Sequence, residues 1–227
     1  MADVELLAYA SDRVVLKRCL PLRSTDRAKL RALQGRGVLV ASTNFACFYY
    51  GLVCCREGFD EVLVVVKSIT QENLGLVERI RRLTSIKLEV VSLDKKGFLK
   101  MARVLKGGGA VVTMMDTYIG EVDDRKQGVL LEREVFYNAT VFDLATKLKA
   151  TILPLSVFRR GWKFEVDFGD IIDSDGVDSE TVAQRSLDQF SERVMRFPDQ
   201  WMAWPNMSQR LVPTIDSGPG VTALAAQ

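Results

Sequence analysis

The sequence predicts an α/β fold in which a mixed, largely parallel central sheet is flanked by helices. Two observations carry this reading. Between Gly37 and Met114, short apolar runs alternate with longer segments of helical character: Val38–Ala41, Glu61–Val66, Lys87–Val91 and Ala110–Met114 against Phe45–Arg56, Gln71–Leu83 and Lys95–Leu105. Short apolar runs of this kind suit strands covered on both faces, and their alternation with helices argues a parallel sheet. Composition agrees, since 227 residues with 48% hydrophobic and 26% charged side chains can bury one substantial core.

Taken in order, Val4 to Leu20 places Leu6, Leu7, Ala10, Val14 and Leu16 close to helical spacing, which predicts an amphipathic first helix. After Pro21 a second helix is expected to start near Ser24, Thr25 or Asp26, each a good N-cap, and to stop at Gly35. The strand and helix alternation follows. Gly107, Gly108 and Gly109 run from a helix into a strand, the reverse of a phosphate-binding loop, so they read as a helix C-cap. The second half predicts short strands near Gly128–Glu132, Thr151–Val157 and Lys163–Asp167 around a helix from Thr140 to Lys149, and a last helix after Asp178. The resulting division is one domain over 1–211, with 1–36 as N-terminal helices, and an extended tail over 212–227 that contains Pro213, Gly218, Pro219 and Gly220.

Several function classes lose support. A net charge of +2 gives no reason to expect nucleic acid as a structural target. Arg79, Arg81 and Arg82, with Lys87 following, read as a solvated face, or else as a dock for phosphate or a carrier protein. The four cysteines, Cys19, Cys47, Cys54 and Cys55, have no CxxC spacing and no histidine beside them, so neither a metal site nor any cofactor is expected. Cys54 lies in an apolar run and reads as a small core residue. The first fifteen residues carry Asp3, Glu5, Asp12 and Arg13, which fits neither a signal peptide nor a membrane span. A cytoplasmic, reducing setting is the expectation.

Four local phrases point further. GVLVASTNFACFYYGLVCC, from Gly37, couples a strand to a helix containing Gly51; LKGGGAVVTMMDTYIG, from Leu105, couples a glycine turn and apolar strand to Asp116. YNATVFDLATKLKATILPLSVFRR, from Tyr137, gives a helix with small residues, a strand near Pro154 and Arg159, and FPDQWMAW, from Phe197, clusters proline with tryptophan. In order and spacing, across about residues 37 to 205, these phrases resemble the lysophospholipid acyltransferase superfamily, and within it the branch of bacterial lipid A late acyltransferases. The resemblance implies a glycerolipid-acyltransferase-like fold and an acyl donor. Members of that branch usually begin with a membrane-anchoring helix, whereas no stable membrane anchor is expected here.

The departure lies at the centre of the motif. The family has a histidine after the first core strand and a carboxylate five positions later; aligned on Gly51, those positions are Thr43 and Phe48. The imidazole would take the proton of the attacking hydroxyl and the carboxylate would hold the ring. The chain contains no histidine at all, so no other residue can supply that imidazole. General-base help of this kind is typically worth about 10²- to 10⁴-fold in rate.

Two functions lead at this point, ahead of a third, a peripheral membrane protein that lost its anchor, which draws on the amphipathic first helix but is disfavoured by that helix's acidic residues. The first is an acyl- or aminoacyl-group transferase that uses a thioester or activated ester as donor and a small amine or hydroxylamine as acceptor, so that little base is needed. Thr43, Asn44, Cys47 and Asp116 are then the catalytic candidates, and Phe48, Thr117 and Arg159 the substrate-binding ones. Backbone N–H groups after Thr43 and the Asn44 amide would serve a developing oxyanion, although Ser42, Thr43 and Asn44 read equally as N-caps. Cys47 would be a nucleophile near a helix N-terminus, or a packed free thiol. Asp116 would orient an amine or act as a weak base, or else form a turn or pair with arginine; Arg159 would hold a phosphate or carboxylate. Trp201 and Trp204 read as packing anchors. The second function is a catalytically inactive relative that binds a ligand or docks a carrier protein or other partner.

Overall fold

Five consecutive buried residues, Val38–Ser42, form β1, the strand on which the rest of the chain is assembled. The computed structural model describes residues 11–18, 21–45, 48–66, 69–116 and 125–204. Helices α1 (Asp12–Arg18) and α2 (Ser24–Ala32) precede β1. After it come α3 (Tyr49–Cys54), a 3-10 turn over Cys55–Glu57, β2 (Glu61–Val66), α4 (Gln71–Thr84), β3 (Lys87–Ser92), α5 (Lys95–Lys106) and β4 (Ala110–Met114). The second half comprises β5 (Arg125–Leu130), β6 (Arg133–Asn138), α6 (Thr140–Lys147), β7 (Thr151–Arg160), β8 (Lys163–Phe168), α7 (Ser179–Arg196) and a 3-10 turn over Pro198–Gln200.

Six strands form one sheet in the order β3-β2-β4-β1-β7-β8. All neighbours run parallel except β8, which returns antiparallel on β7 as an edge strand. The expected mixed, largely parallel sheet is therefore present. Side chains alternate along each strand, so β1 sends Leu39 and Ala41 to one face and Val38 and Val40 to the other. The first face is covered by α5, α6, α7 and the hairpin β5–β6, through Met101, Val104, Phe142, Leu187, Phe190 and Tyr137 among others. The second is covered by α1 to α4, through Val15, Leu30, Tyr50, Leu52, Val77 and Ile80. A layer of helices thus lies on each side of the sheet.

Local chemistry explains where elements stop and start. Asp94 caps α5 by accepting from Gly97 N at 2.7 Å, and Asp178 caps α7 by accepting from Thr181 N at 2.8 Å. These hydrogen bonds hold both aspartates below their ordinary pKa, led in each case by the backbone N–H that the carboxylate accepts. The triplet Gly107–Gly109 closes α5 as expected, with Gly108 at φ +82 facing Gly35 at φ +75. A Cβ on Gly108 would lie 2.6 Å from the Gly35 carbonyl oxygen. The last strand is locked to its neighbours by charge: Arg23 donates to both Asp26 and Asp167, and Arg193 Nε donates to Asp167 Oδ2 at 2.9 Å. Burial counts against the Arg23 charge, but the hydrogen bond to Asp26 outweighs it and raises the guanidinium further.

Four sequence expectations need correction. The helix after β1 begins at Tyr49 rather than near Phe45, because Phe45 is drawn into the core and bridges Trp201. Ser42, Thr43 and Asn44 accordingly cap no helix. The hairpin strand β6 was not expected at all, and the residue pair Leu131 and Glu132, both at positive φ, makes its two-residue turn. Arg79 is buried, at 6% exposure, rather than part of a solvated face. Of the expected first helix, Asp12–Arg18 is helical, and the rest falls outside the described residues, as does the tail.

Two glycines should respond in opposite ways to a methyl group. A Cβ on Gly37 would sit 2.1 Å from the Leu105 carbonyl oxygen, whereas one on Gly75, inside α4, meets nothing within 4 Å. Gly37→Ala is expected to lose about 2 kcal/mol or more and Gly75→Ala to gain about 0.5–1 kcal/mol, as urea unfolding would measure.

Candidate functional site

In a parallel sheet the chain ends of the strands face a crevice that is the usual place for a ligand. Here β1 ends at Ser42, β4 at Met114, and β7 continues beyond both, since its last pair with β1 is Leu155 with Ser42. The residues that follow β1 and β4 are tied directly: Met115 N donates to the Ser42 carbonyl at 2.8 Å, and Asn44 N donates to Asp116 Oδ2 at 2.7 Å. Asn44 Nδ2 donates to Asp116 Oδ1 at 2.9 Å. The third donor is the indole of Trp201, whose Nε1 lies 2.8 Å from Asp116 Oδ2.

Asp116 is 2% exposed, so these bonds form out of water, where an unmatched carboxylate would be costly. Trp201 reaches it because the chain after α7 crosses the strand ends. Phe45 and Trp201 form an antiparallel bridge, and Met202 N donates to the Asn44 carbonyl at 2.8 Å. Phe45 packs against Phe158 at 5.1 Å and Phe190 at 5.7 Å between ring centres, and Phe190 meets Trp201 at 5.4 Å. Thr43 is buried beside this group, its hydroxyl 3.5 Å from that of Ser156 on β7.

The structure brings together Thr43, Asn44 and Asp116 of the predicted site residues. Phe48 lies apart from them, half-buried, its ring tilted against that of Tyr49 at 4.2 Å between centres and packed with the core of the opposite sheet face. Arg159 is exposed on the overhang of β7, with its Nε donating to the Gly161 carbonyl at 3.1 Å. Cys47 and Thr117 lie outside the described residues. Cys54 and Cys55 are both buried, and burial pushes the Cys55 thiol up to about 12, which keeps it protonated and unreactive. Among the described residues no group of His, Cys, Asp and Glu side chains could hold a metal ion.

Sequence reasoning missed Ser156 and Gln200. Gln200 lies against the overhang, where its Oε1 accepts from Arg159 N at 2.6 Å and its Nε2 donates to Arg159 O at 3.2 Å. Ser156 falls within the expected strand Thr151–Val157, but its place beside Thr43 follows from the register of β7 on β1, for which the sequence has no local signal.

A narrow cavity borders Asp116 between the hairpin and α7, lined mainly by Met115, Leu130, Val135, Leu187 and Phe190. It leaves about 10 Å³ for the centre of a water molecule, room for one water. Its other polar neighbour is Tyr137, whose hydroxyl is buried and makes no hydrogen bond within the described chain. Burial, and next the negative charges of Glu180, Asp143 and Asp178, push this phenol up, so it stays protonated.

The sequence profile of the bacterial lipid A biosynthesis acyltransferase family matches residues 34–206, a span that runs from the turn before β1 to just past the Trp201 crossing. The chain belongs to that family. No match to an individual curated protein was found. Among the described residues no helix is long and apolar enough to cross a membrane.

Two substitutions separate the roles of these buried polar groups. Asp116→Asn presents an N–H₂ to the Asn44 amide and is expected to cost about 1.5–3 kcal/mol in urea unfolding. Tyr137→Phe removes a hydroxyl that has no partner among the described residues and is expected to be neutral or to stabilise by up to about 1 kcal/mol in the same assay.

Proposed function

We propose that the protein is an acyl- or aminoacyl-group transferase that moves its group from a thioester or activated ester to a small amine or hydroxylamine, with no histidine general base. The observation that carries this is the pairing of family membership over 34–206 with a chain that contains no histidine. An amine brings its own lone pair. It adds to the carbonyl carbon, the resulting oxyanion collapses with expulsion of the thiolate or alkoxide, and the added nitrogen gives up its proton to the departing group or to solvent. What remains for the protein is positioning and stabilisation of the oxyanion, terms that do not need a base.

In this reading the Thr43 and Ser156 hydroxyls are the donors offered to the oxyanion. Asn44 acts by holding the loop, since both of its N–H groups that were candidates for the oxyanion are engaged by Asp116. Asp116 is a positioning residue rather than a base. Cys47 stays the candidate nucleophile, and Thr117 and Arg159 are assigned to the substrate side; Phe48, packed with the opposite face of the sheet, has no part in this reading. A carrier protein is among the donors considered and the cytoplasm is the setting.

One observation favours the second reading, a ligand-binding or partner-docking protein without turnover. The crossing of Trp201 and Met202 over Asn44 and Phe45 covers the strand ends, and the Asp116 carboxylate is already saturated by three donors.

Intact-protein mass spectrometry after incubation with acyl-CoA, acyl-carrier and aminoacyl donors, with and without amine acceptors, tests both. The expected outcome is an acylated amine with unmodified protein, reduced about 10²-fold in Thr43→Val. A mass added to the protein and lost in Cys47→Ala would replace direct transfer with a covalent cysteine route. Ligand retained without product across the panel would leave the binding reading in its place.

A further inference from the structure

Two surfaces among the elements that cover the first sheet face take no part in the transfer reaction, and they are opposite in charge. Helix α5 carries five cations and no acidic residue. Met101, Val104 and Leu105 are buried on its inner side, so Lys95, Lys96, Leu99, Arg103 and Lys106, linked by steps of three and four residues, form its outer stripe over about 18 Å. Lys100 is engaged by Glu89, and Asp94 accepts from the Gly97 N–H and the Ser92 hydroxyl. Lys95, Lys96, Arg103 and Lys106 make no ion pair with a described residue. Leu99 stands among them at 63% exposure.

The second surface is an open groove of about 590 Å³ between the hairpin β5–β6 and α7. Val129, Leu131 and Met195 give it an apolar lining, and Glu132, Asp188 and Glu192 line it with carboxylates. Glu134 faces the same way, because it is the register partner of Val129. The exposed cations nearest in the chain are Arg133, beside Glu132, and Arg185, one turn before Asp188. Met195, at 73%, and Leu99 are the two most exposed large apolar side chains among the described residues, and they fall one on each surface. An apolar groove with carboxylates around it fits an apolar knob flanked by cations. Helix α6 packs against both α5 and α7, and the hairpin lies against α7, so a stripe does not reach the groove of its own chain.

We propose that the groove receives the α5 stripe of a second copy of this chain, with Leu99 packed against Val129, Leu131 and Met195 and the flanking cations set against the four carboxylates. Any other partner would have to supply one half of this match; a second copy already carries both. Contact between two different patches is heterologous, so each copy keeps a stripe and a groove for further copies unless a pair closes reciprocally. One helix against one groove is small beside a standard interface, so the association is weak and concentration-dependent.

Sedimentation velocity of the full chain over a range of concentrations, at low and high salt, tests this. The expected result is a monomer that associates as concentration rises and dissociates at high salt. Arg103→Glu and Glu192→Arg should each weaken self-association about tenfold. An equimolar mixture of the two should recover it, because the mixture holds an intact stripe on one variant and an intact groove on the other. Leu99→Ser should weaken it about as much as either, and Trp162→Ser, at a 56% exposed site on the turn between β7 and β8, should leave it unchanged. Thermal unfolding of each variant checks that it is folded. A monomer at every concentration, association that the charge reversals leave intact, no recovery on mixing, or equal loss in Trp162→Ser would overturn the proposal. The measurement needs no turnover, so its result stands apart from that of the transfer assay.

Discussion

Three segments that are far apart in the chain meet at one carboxylate. Asp116 follows β4, Asn44 follows β1, and Trp201 follows α7; all three of their contacts are N–H donors aimed at the same two oxygens. In water each bond would merely replace one to solvent. Buried at 2% exposure, the charge has no such alternative, so the three donors become a requirement of the fold. Once they are in place, the chain after β1 cannot turn directly into a helix. Phe45 is instead pinned under Trp201 and among Phe158 and Phe190, and α3 starts only at Tyr49.

A second device handles backbone that the sheets leave unpaired. Three glutamines each bracket the N–H and C=O of a single residue: Gln184 with Val129, Gln189 with Asp170 and Gln200 with Arg159. A primary amide carries a donor and an acceptor side by side, so it can stand in for one residue of a neighbouring strand. Gln184 closes the outer edge of β5 onto α7, and Gln200 does the same for the part of β7 that has outrun β1. Edges covered in this way are not templates for another chain. Gln200 also fixes where the crossing segment lies, because it is the residue before Trp201.

Much of the sheet was legible because its strands are local in sequence. Val38–Ser42, Glu61–Val66 and Ala110–Met114 are apolar on both faces, and no surface helix has that pattern. The glycine triplet was legible for a similar reason, since a turn from helix to strand needs positive φ, as Gly108 has. What could not be read were contacts between distant segments. Nothing around Phe45 announces a partner at Trp201, and apolar spacing alone suggests a helix there. Arg79 was misjudged because a charge cluster reads as exposed until the helix face is known. At the strand ends, the sequence offers Asn44 as an oxyanion donor or an N-cap and Asp116 as a substrate-orienting group or a turn former, whereas in the structure each is the other's partner. Ser156 carries no local signal and was visible only through the register of β7 on β1.

The same constraint bears on the proposal that threonine and phenylalanine stand where the resemblance implies a histidine and a carboxylate. A buried imidazole must have partners for both nitrogens, and a buried carboxylate needs donors or a cation. At Thr43 the surroundings supply one hydroxyl, that of Ser156, which suits a side chain with a single hydroxyl of its own. Phe48 asks for no polar partner and gains a ring contact with Tyr49. Asp116 is the one carboxylate buried at the strand ends among the described residues, and three protein N–H groups donate to it. The strand ends are therefore tied together by a carboxylate whose oxygens accept three N–H donors. Chemistry that needs an activated hydroxyl is poorly served by this arrangement; chemistry in which the acceptor supplies its own lone pair, or in which a ligand is only held, is compatible with it.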